Sequence, residues 1–501
     1  MYLIRTFPPA AAAGLATVVA AACTVGPDYV RPSVKVPVSY KEAGPWRPAA
    51  PMDQIPRGAW WKVYGDPELD ALEAQVSISN QNVQAAAAQL RESQTLVQQA
   101  RAGLFPSLSG SASVVRSQST VGGGQVPVSV GGPTVTTRNF SFSLPWEIDL
   151  WGRVRRQLEA SQATAEASAA DLQSVRLSAQ ATLAQDYFLL RVADAQKRLL
   201  DRTVAAYRRA LQITRNRYAA GVVSKVDVVQ ADTQLKTTQA QAIDVGVQRA
   251  QLEHAIAVLI GRPPADFSLA PGQAPPRVPE IPAGVPSQLL ERRPDIARAA
   301  RQVAAANAQI GVAEAAFFPS LTLSASGGYQ GTGFSNVLSA GNRFWSIGPA
   351  LVGTLFDAGL RRAQSAQAVA AYDATVASYR QTVLAGFQEV EDNLAAQRIL
   401  AREAAAQQAA VAAARRSVEL SLNQYKAGTV SYLSVVTAQA TQLANELTVV
   451  TLEGRRLTTS VGLIKALGGG WHEPAAEMPD NQPSPTKSPV TATRKSTLER
   501  G

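Results

Sequence analysis

The chain repeats itself over a long distance. Ala102-Gly103-Leu104-Phe105-Pro106-Ser107-Leu108 returns as Ala315-Ala316-Phe317-Phe318-Pro319-Ser320-Leu321, 213 residues later. Tyr218-Ala219-Ala220-Gly221-Val222-Val223-Ser224 returns as Tyr425-Lys426-Ala427-Gly428-Thr429-Val430-Ser431 at a spacing of 207, which Ile260-Gly261 and Leu467-Gly468 preserve. A period this long marks a duplicated domain rather than a solenoid of short repeats. Each half reads as helix, strand, loop, strand, long helix, tight turn, helix.

Residues 154–217 contain no proline or glycine, and residues 360–426 contain only Gly386. Such a run predicts a helix of about 95 Å at 1.5 Å per residue, and a rod that long needs partner helices along its length. The partners follow at once: the chain turns at Gly221 and runs helical again to Leu259, and turns at Gly428 and runs to Leu467. Each glycine suits a left-handed helix cap. Ser224-Lys225-Val226-Asp227 has the spacing of a capping box, with aspartate in the acidic position. Charged residues make up 17% of the chain and aromatics 6%, with alanine-rich runs such as Ala85-Ala86-Ala87-Ala88. This composition predicts helices that pack closely through small side chains.

The strands carry a different pattern. Leu108, Gly110, Ala112 and Val114 alternate with Ser109, Ser111 and Ser113, and a second segment places Phe140, Phe142, Leu144 and Trp146 on one face. The linker, with Gly122-Gly123-Gly124 and Gly131-Gly132-Pro133, is expected to be a flexible loop. Half two repeats the scheme with Leu321, Leu323 and Ala325, then Ile347, Leu351 and Leu355. Alternation of small polar with apolar residues is the pattern of transmembrane β-strands. No run of 18 or more apolar residues follows the first 25 positions, so a membrane crossing would have to be made by strands. Four strands cannot close a barrel, and open edges in lipid cost several kcal/mol per unpaired group. Copies of the chain must therefore share one barrel: eight strands from two copies, or twelve with a lumen from three.

The N-terminus reads as an address. Met1 to Ala22 has the charge of Arg5, a short stretch of small apolar residues, and the end Ala20-Ala21-Ala22-Cys23. It resembles a bacterial lipoprotein signal in which Cys23 receives the lipid. Ala20 stands where leucine or valine is more usual. Thr24 in place of aspartate implies, on that resemblance, the outer membrane.

The expected organisation is α+β: signal peptide 1–22, extended arm 23–66, first repeat 67–261, linker 262–286, second repeat 287–468 and a disordered tail 469–501. The excess of 10 positive charges is spread thinly, with no basic block that would indicate nucleic acid. One cysteine and two histidines leave no intrachain disulfide and little material for a metal cage. Glu253-His254 lacks the second histidine of a zinc motif, and no phosphate-binding glycine loop occurs. No cofactor is expected beyond the lipid on Cys23.

Taken in order over residues 24–470, the motifs resemble those of the outer membrane factors of tripartite efflux pumps, in the TolC/OprM-like lipoprotein subfamily. The resemblance is carried by Trp60-Trp61-Lys62-Val63-Tyr64-Gly65-Asp66-Pro67, by Arg292-Arg293-Pro294-Asp295-Ile296, by Ala306-Asn307-Ala308-Gln309-Ile310-Gly311-Val312, by Phe317-Phe318-Pro319-Ser320-Leu321, and by the two Tyr-x-Ala-Gly turns. It implies a homotrimer with a twelve-stranded outer membrane barrel, a periplasmic α-barrel and an equatorial belt that includes Arg262 to Pro286. It implies passive export, fed by a proton-driven inner-membrane transporter and a periplasmic adaptor, with no enzymatic step.

The resemblance also implies a gate at the hairpin tips, with Asp227 and Tyr425 joined by a hydroxyl–carboxylate hydrogen bond. Ser434 and Thr437 stand where relatives often carry carboxylates, and Asp232 lies close enough to Asp227 to replace them in part. Gly221, Val222, Val223, Ser224, Gly428, Thr429, Val430 and Ser431 are the expected adaptor contacts. The competing functions are the exit duct of a protein-secretion system and a pore-free periplasmic coiled-coil tether.

Overall fold

The structure, a computed structural model, describes residues 24–43, 59–121, 130–272, 276–281, 286, 292–334 and 336–470. The signal peptide with Cys23, the glycine run 122–124 and the C-terminal tail beyond residue 470 lie outside these residues.

The duplication is exact in its helices. Half one contains α1 (Pro67–Ser79), α2 (Gln81–Ala102), β1 (Ser109–Val121), β2 (Val130–Ile148), α3 (Arg153–Ala219) and α4 (Lys225–Leu259). Half two contains α5 (Pro294–Ala315), β3 (Ser320–Gly331), β4 (Arg343–Val352), α6 (Leu360–Lys426) and α7 (Tyr432–Ala466). The pairs α2 and α5, α3 and α6, and α4 and α7 have 22, 67 and 35 residues respectively. A 67-residue helix is about 100 Å long.

The helical region from Pro67 to Ala102 consists of two helices. Buried Asn80 is extended (φ −64°, ψ 122°), accepts from the Asn82 and Val83 amides, and donates to the Leu259 carbonyl at 2.7 Å. Its side chain competes with the helical backbone and wins because it caps the next helix and ties it to α4.

The four strands form one antiparallel meander in the order β1-β2-β3-β4. β2 and β3 join the two halves, with Phe140 opposite Tyr329 and Leu144 opposite Ala325. Gly131, Gly132 and Pro133 are not loop: they lie in β2, where the register shifts between Gln118 and Thr120. Glycine leaves the pairing free to continue, and the irregularity accommodates a proline that cannot donate to the ladder. Leu355 lies beyond the end of β4.

The two faces differ sharply. One carries facing hydroxyls, Ser109 with Ser143 (2.7 Å), Ser111 with Ser141 (2.9 Å) and Ser326 with Ser346 (2.8 Å). The other carries Phe140, Phe142, Ile347 and Trp345, the last 74% exposed. Among the described residues of one chain, the outer edges of β1 and β4 have no strand partner.

Below the sheet, α3 is the spine. It packs along α2 and α5 near the sheet, and along α4 and α7 farther away, while α6 flanks α5 and then α7. The main core collects Trp60, Tyr64, Leu69, Tyr187, Phe188, Ile256, Ile296 and Tyr379 from both halves. The linker is clamped onto it by charge. Buried Asp194 accepts from Arg191 (3.1 Å), Arg249 (2.8 Å) and the Gly272 amide (2.9 Å). Residues 24–43 form an arm over the body: Asn307 donates to the Pro27 carbonyl at 2.8 Å, and Glu391 accepts from the Lys41 and Glu42 amides at 2.7 and 2.9 Å.

Arg293 of the Arg-Arg-Pro-Asp motif is buried, pairs with Asp295 (2.6 Å) and Glu389 (2.7 Å), and donates to the Ala466 carbonyl (3.1 Å). Arg293→Ala should lower the thermal unfolding midpoint in detergent, with a loss of about 3 kcal/mol, because acceptors on three elements lose their donor. Glu73 is fully buried, and among the described residues neither of its oxygens has a hydrogen-bond partner. Burial, aided by Asp70, raises its pKa well above the ordinary 4.5. The folded state therefore keeps a proton that the unfolded state releases, and this group's contribution to stability falls as pH rises above about 4.5. In Glu73→Gln the unfolding midpoint should gain on the native chain between pH 5 and 7.5.

Candidate functional site

The hairpin tips lie at the end of the molecule opposite the sheet. Both are closed by the same backbone device. Gly221 (φ +72°) and Gly428 (φ +76°) adopt the left-handed conformation. The Val222 amide reaches back to the Arg217 carbonyl (2.9 Å) and the Thr429 amide to the Gln424 carbonyl (3.0 Å), the six-to-one bond of a Schellman cap. The following helix starts differ. The Ser224 hydroxyl accepts from the Asp227 amide at 3.4 Å, whereas Ser431 makes no side-chain cap. Gly221, Val222, Ser224, Gly428, Thr429 and Ser431 are exposed, while Val223 and Val430 pack inward against the tip core.

That core joins the two hairpins through Tyr207, Leu211, Leu235, Tyr425, Tyr432 and Val435. Tyr425 packs edge-on against Tyr432, with centroids 5.1 Å apart, and the Arg217 guanidinium lies 4.8 Å from the Tyr425 ring centroid. A cation over a tyrosine face is attracted by the ring quadrupole, so Arg217 of hairpin one is fastened to hairpin two. Burial raises the Tyr425 pKa, and the charge of Asp227 adds to the rise while Arg217 opposes it.

Among the described residues the expected Asp227–Tyr425 hydrogen bond is not made within the chain: no partner lies at hydrogen-bond geometry from the Tyr425 hydroxyl, with Thr214 near enough to lower its pKa. The aromatic and cation contacts hold the ring without using the hydroxyl. Asp232 faces Arg215 across its own hairpin at 3.6 Å. Ser434 and Thr437 are exposed, and the Thr437 hydroxyl is turned back to the Leu433 carbonyl at 3.0 Å. His254 is exposed on α4.

Arg217, Arg215 and Tyr432 were not singled out from the sequence. The duplication holds the signal for Arg217: Asn216-Arg217-Tyr218 aligns with Asn423-Gln424-Tyr425, so the arginine is a departure between otherwise matching turns.

The sequence profile of outer membrane efflux proteins matches residues 73–262 and 285–469. The chain belongs to this family. Among the relatives of this outer membrane efflux protein are the toluene efflux pump outer membrane protein TtgC of Pseudomonas putida, 30% identical across 93% of this chain and 96% of the relative, and the pyoverdine export outer membrane protein OpmQ of Pseudomonas aeruginosa, 32% identical across 82% and 87%. The solved structure of the outer-membrane channel OprN superimposes with a TM-score of 0.82 at 30% identity, covering 90% of this chain and all of that one. These relatives are channel and pump-component proteins. The efflux protein thus resides in the outer membrane, with its helical hairpins on the periplasmic side and its sheet in the lipid. Among the described residues no helix is long and apolar enough to span a membrane.

Two substitutions separate ring packing from hydroxyl bonding at the tip. Tyr425→Phe should leave the thermal midpoint within about 0.5 kcal/mol of the native chain, whereas Tyr425→Ala should cost about 3 kcal/mol through the cavity it leaves.

Proposed function

We propose that the chain is the exit duct of a tripartite efflux system that passes small molecules, such as drugs or other toxic compounds, out of the cell. Three copies join their sheets into one twelve-stranded barrel, and their hairpins continue it as an α-barrel in the periplasm. A proton-driven inner-membrane transporter and a periplasmic adaptor deliver the substrate, and the duct catalyses nothing. One observation carries this function: a four-stranded meander with two open edges, an exposed apolar face and a hydroxyl-lined face leads directly into 67-residue helices. Open edges in lipid require closure by further copies, and twelve strands leave a lumen where eight would be filled by side chains. Toluene and pyoverdine in the names of two relatives favour small molecules over secreted proteins as cargo.

The gate is made at the hairpin tips. The stack of Arg217 on Tyr425 holds the hairpins together, Asp227 and Asp232 supply the acid, and the exposed turn residues Gly221, Val222, Ser224, Gly428, Thr429 and Ser431 meet the adaptor. Ser434 stands at the repeat position of Asp227 and is uncharged, so the second turn contributes no carboxylate there.

Cys23 carries a lipid anchor. The Val25 amide donates to the Trp151 carbonyl at 3.0 Å, and Thr24 packs against Gly152, at the corner where β2 becomes α3. Trp151 stacks on Phe318 with centroids 4.7 Å apart at the same corner. This supports the anchor: residues 24 and 25 are held at the corner where the membrane strands give way to the rods, a place from which acyl chains on the preceding cysteine would reach the inner leaflet.

In planar bilayers, Arg217→Ala and Asp227→Ala should each raise the open probability of single channels severalfold over the native protein. Unchanged opening in either variant removes that residue from the gate. Metabolic labelling with radioactive palmitate should mark the native chain and leave Cys23→Ser unlabelled.

A further inference from the structure

The four strands contain only four charged residues: Glu147 sits at the helix end of β2, and the other three are Arg116, Arg138 and Arg343. All three lie toward the loop end of the sheet, and the register puts them on one face. Arg138 pairs with Val114 and Gly331, Arg343 pairs with Tyr329, and Arg116 follows Val114 by two residues. Side chains alternate with period two, so this is the face of Phe140, Phe142, Trp345 and Ile347 and not that of the paired serines.

The two ends of the sheet treat cations differently. At the helix end, Arg153 is neutralised by Glu147 (2.6 Å), Arg155 by Asp149 (3.3 Å) and Arg361 by Asp357 (2.5 Å). At the loop end, no ion pair within the described residues engages Arg116, Arg138 or Arg343. Arg138 donates to the Thr332 carbonyl at 2.6 Å and lies 5.6 Å from the Phe334 ring centroid. These contacts fix the guanidinium without cancelling its charge. Arg116 and Arg343 are exposed.

Height along the sheet explains why charge is tolerated on a face meant for lipid. Arg138 and Glu147 are nine residues apart on β2, about 30 Å along the strand and about 23 Å in height at a barrel tilt. That nearly matches the apolar band of an outer membrane barrel, about 25 Å tall. Glu147 with Arg153 then marks the inner interface and Arg138 the outer one, at headgroup level, where an outward arginine costs little. A planar guanidinium without a carboxylate partner matches the oxygen pair of a phosphate.

We propose that Arg116, Arg138 and Arg343 form a girdle on the lipid-facing outer rim of the barrel that binds the phosphorylated headgroups of outer-leaflet lipids. Export and gating play no part in this binding, which depends only on the sheet lying in the outer membrane.

The test is lipid retention by the assembled protein, measured by native mass spectrometry after incubation with diphosphoryl lipid A or its dephosphorylated counterpart. The native protein should retain the phosphorylated lipid roughly ten-fold or more over the other, and each arginine replaced by glutamine should reduce that preference by about five-fold. The triple variant R116Q/R138Q/R343Q should lose the preference, and the triple lysine variant should keep part of it. Equal retention of phosphorylated and dephosphorylated lipid by the native protein overturns the proposal, as does an undiminished preference in the triple glutamine variant. If that variant does not assemble, the three single variants decide, and no loss in any of them is equally fatal. Stable insertion of the native protein into phosphatidylcholine vesicles is read separately, so failure of the membrane assignment is distinguishable from failure of the girdle.

Discussion

The backbone of a strand in lipid must find its hydrogen bonds within protein, and this chain cannot supply them all alone. Its four strands satisfy one another across three ladders and leave two edges. Closing those edges with further copies imposes cyclic symmetry on everything attached below. The helices inherit it: α3 packs along four other helices of the chain, whereas α4 and α6 keep apolar side chains such as Ile243, Val247, Leu384 and Ile399 exposed. Those side chains sit where a neighbouring copy would pack. Barrel and coiled rods are thus consequences of one rule about unpaired amides.

Duplication provided two equal halves, and the tips are where they have diverged. The backbone caps remain superposable, with a left-handed glycine and a six-to-one hydrogen bond in each. The side chains do not. Tyr218 is exposed while its counterpart Tyr425 is buried, and Arg217 has replaced the glutamine found at 424. Symmetry between halves would give six equivalent hairpins in a trimer. Divergence gives two kinds, so that one can be held against the other. The single cation–π contact between them is weak enough to be undone, about 1 kcal/mol when partly exposed.

Much of this was legible in the residues. Helix extents came from the absence of proline and glycine, and turn positions from the recurring Tyr-x-Ala-Gly. The alternation of serine with apolar residues found both the strands and the faces they present. The errors have local causes. Asn80 divides a stretch with no proline or glycine because its amide caps a new helix while bonding to Leu259 far along the chain, a partner invisible in a local window. Gly131-Gly132-Pro133 has loop composition but lies within β2, with Gly131 paired to Thr120 and the other two in the irregularity, since register is set by the partner strand. The tip residues were harder. Asp227 and Tyr425 lie at the helix ends beside the turns, but the contact that engages Tyr425 comes from Arg217, on a helix that meets it only in the folded protein.

The seam between β2 and β3 has a consequence for biosynthesis. Phe142 pairs with Gly327 and Trp146 with Leu323, so the middle of the sheet is stitched from segments separated by most of the first half's rods. Such distant pairing is slow to form. An N-terminal half emerging alone has a hairpin with a greasy side and nothing to sew it to. Until the ribosome has passed Gly331, the nascent polypeptide has no way to close this seam, and it must be kept from sticking to others like itself during transit to its destination.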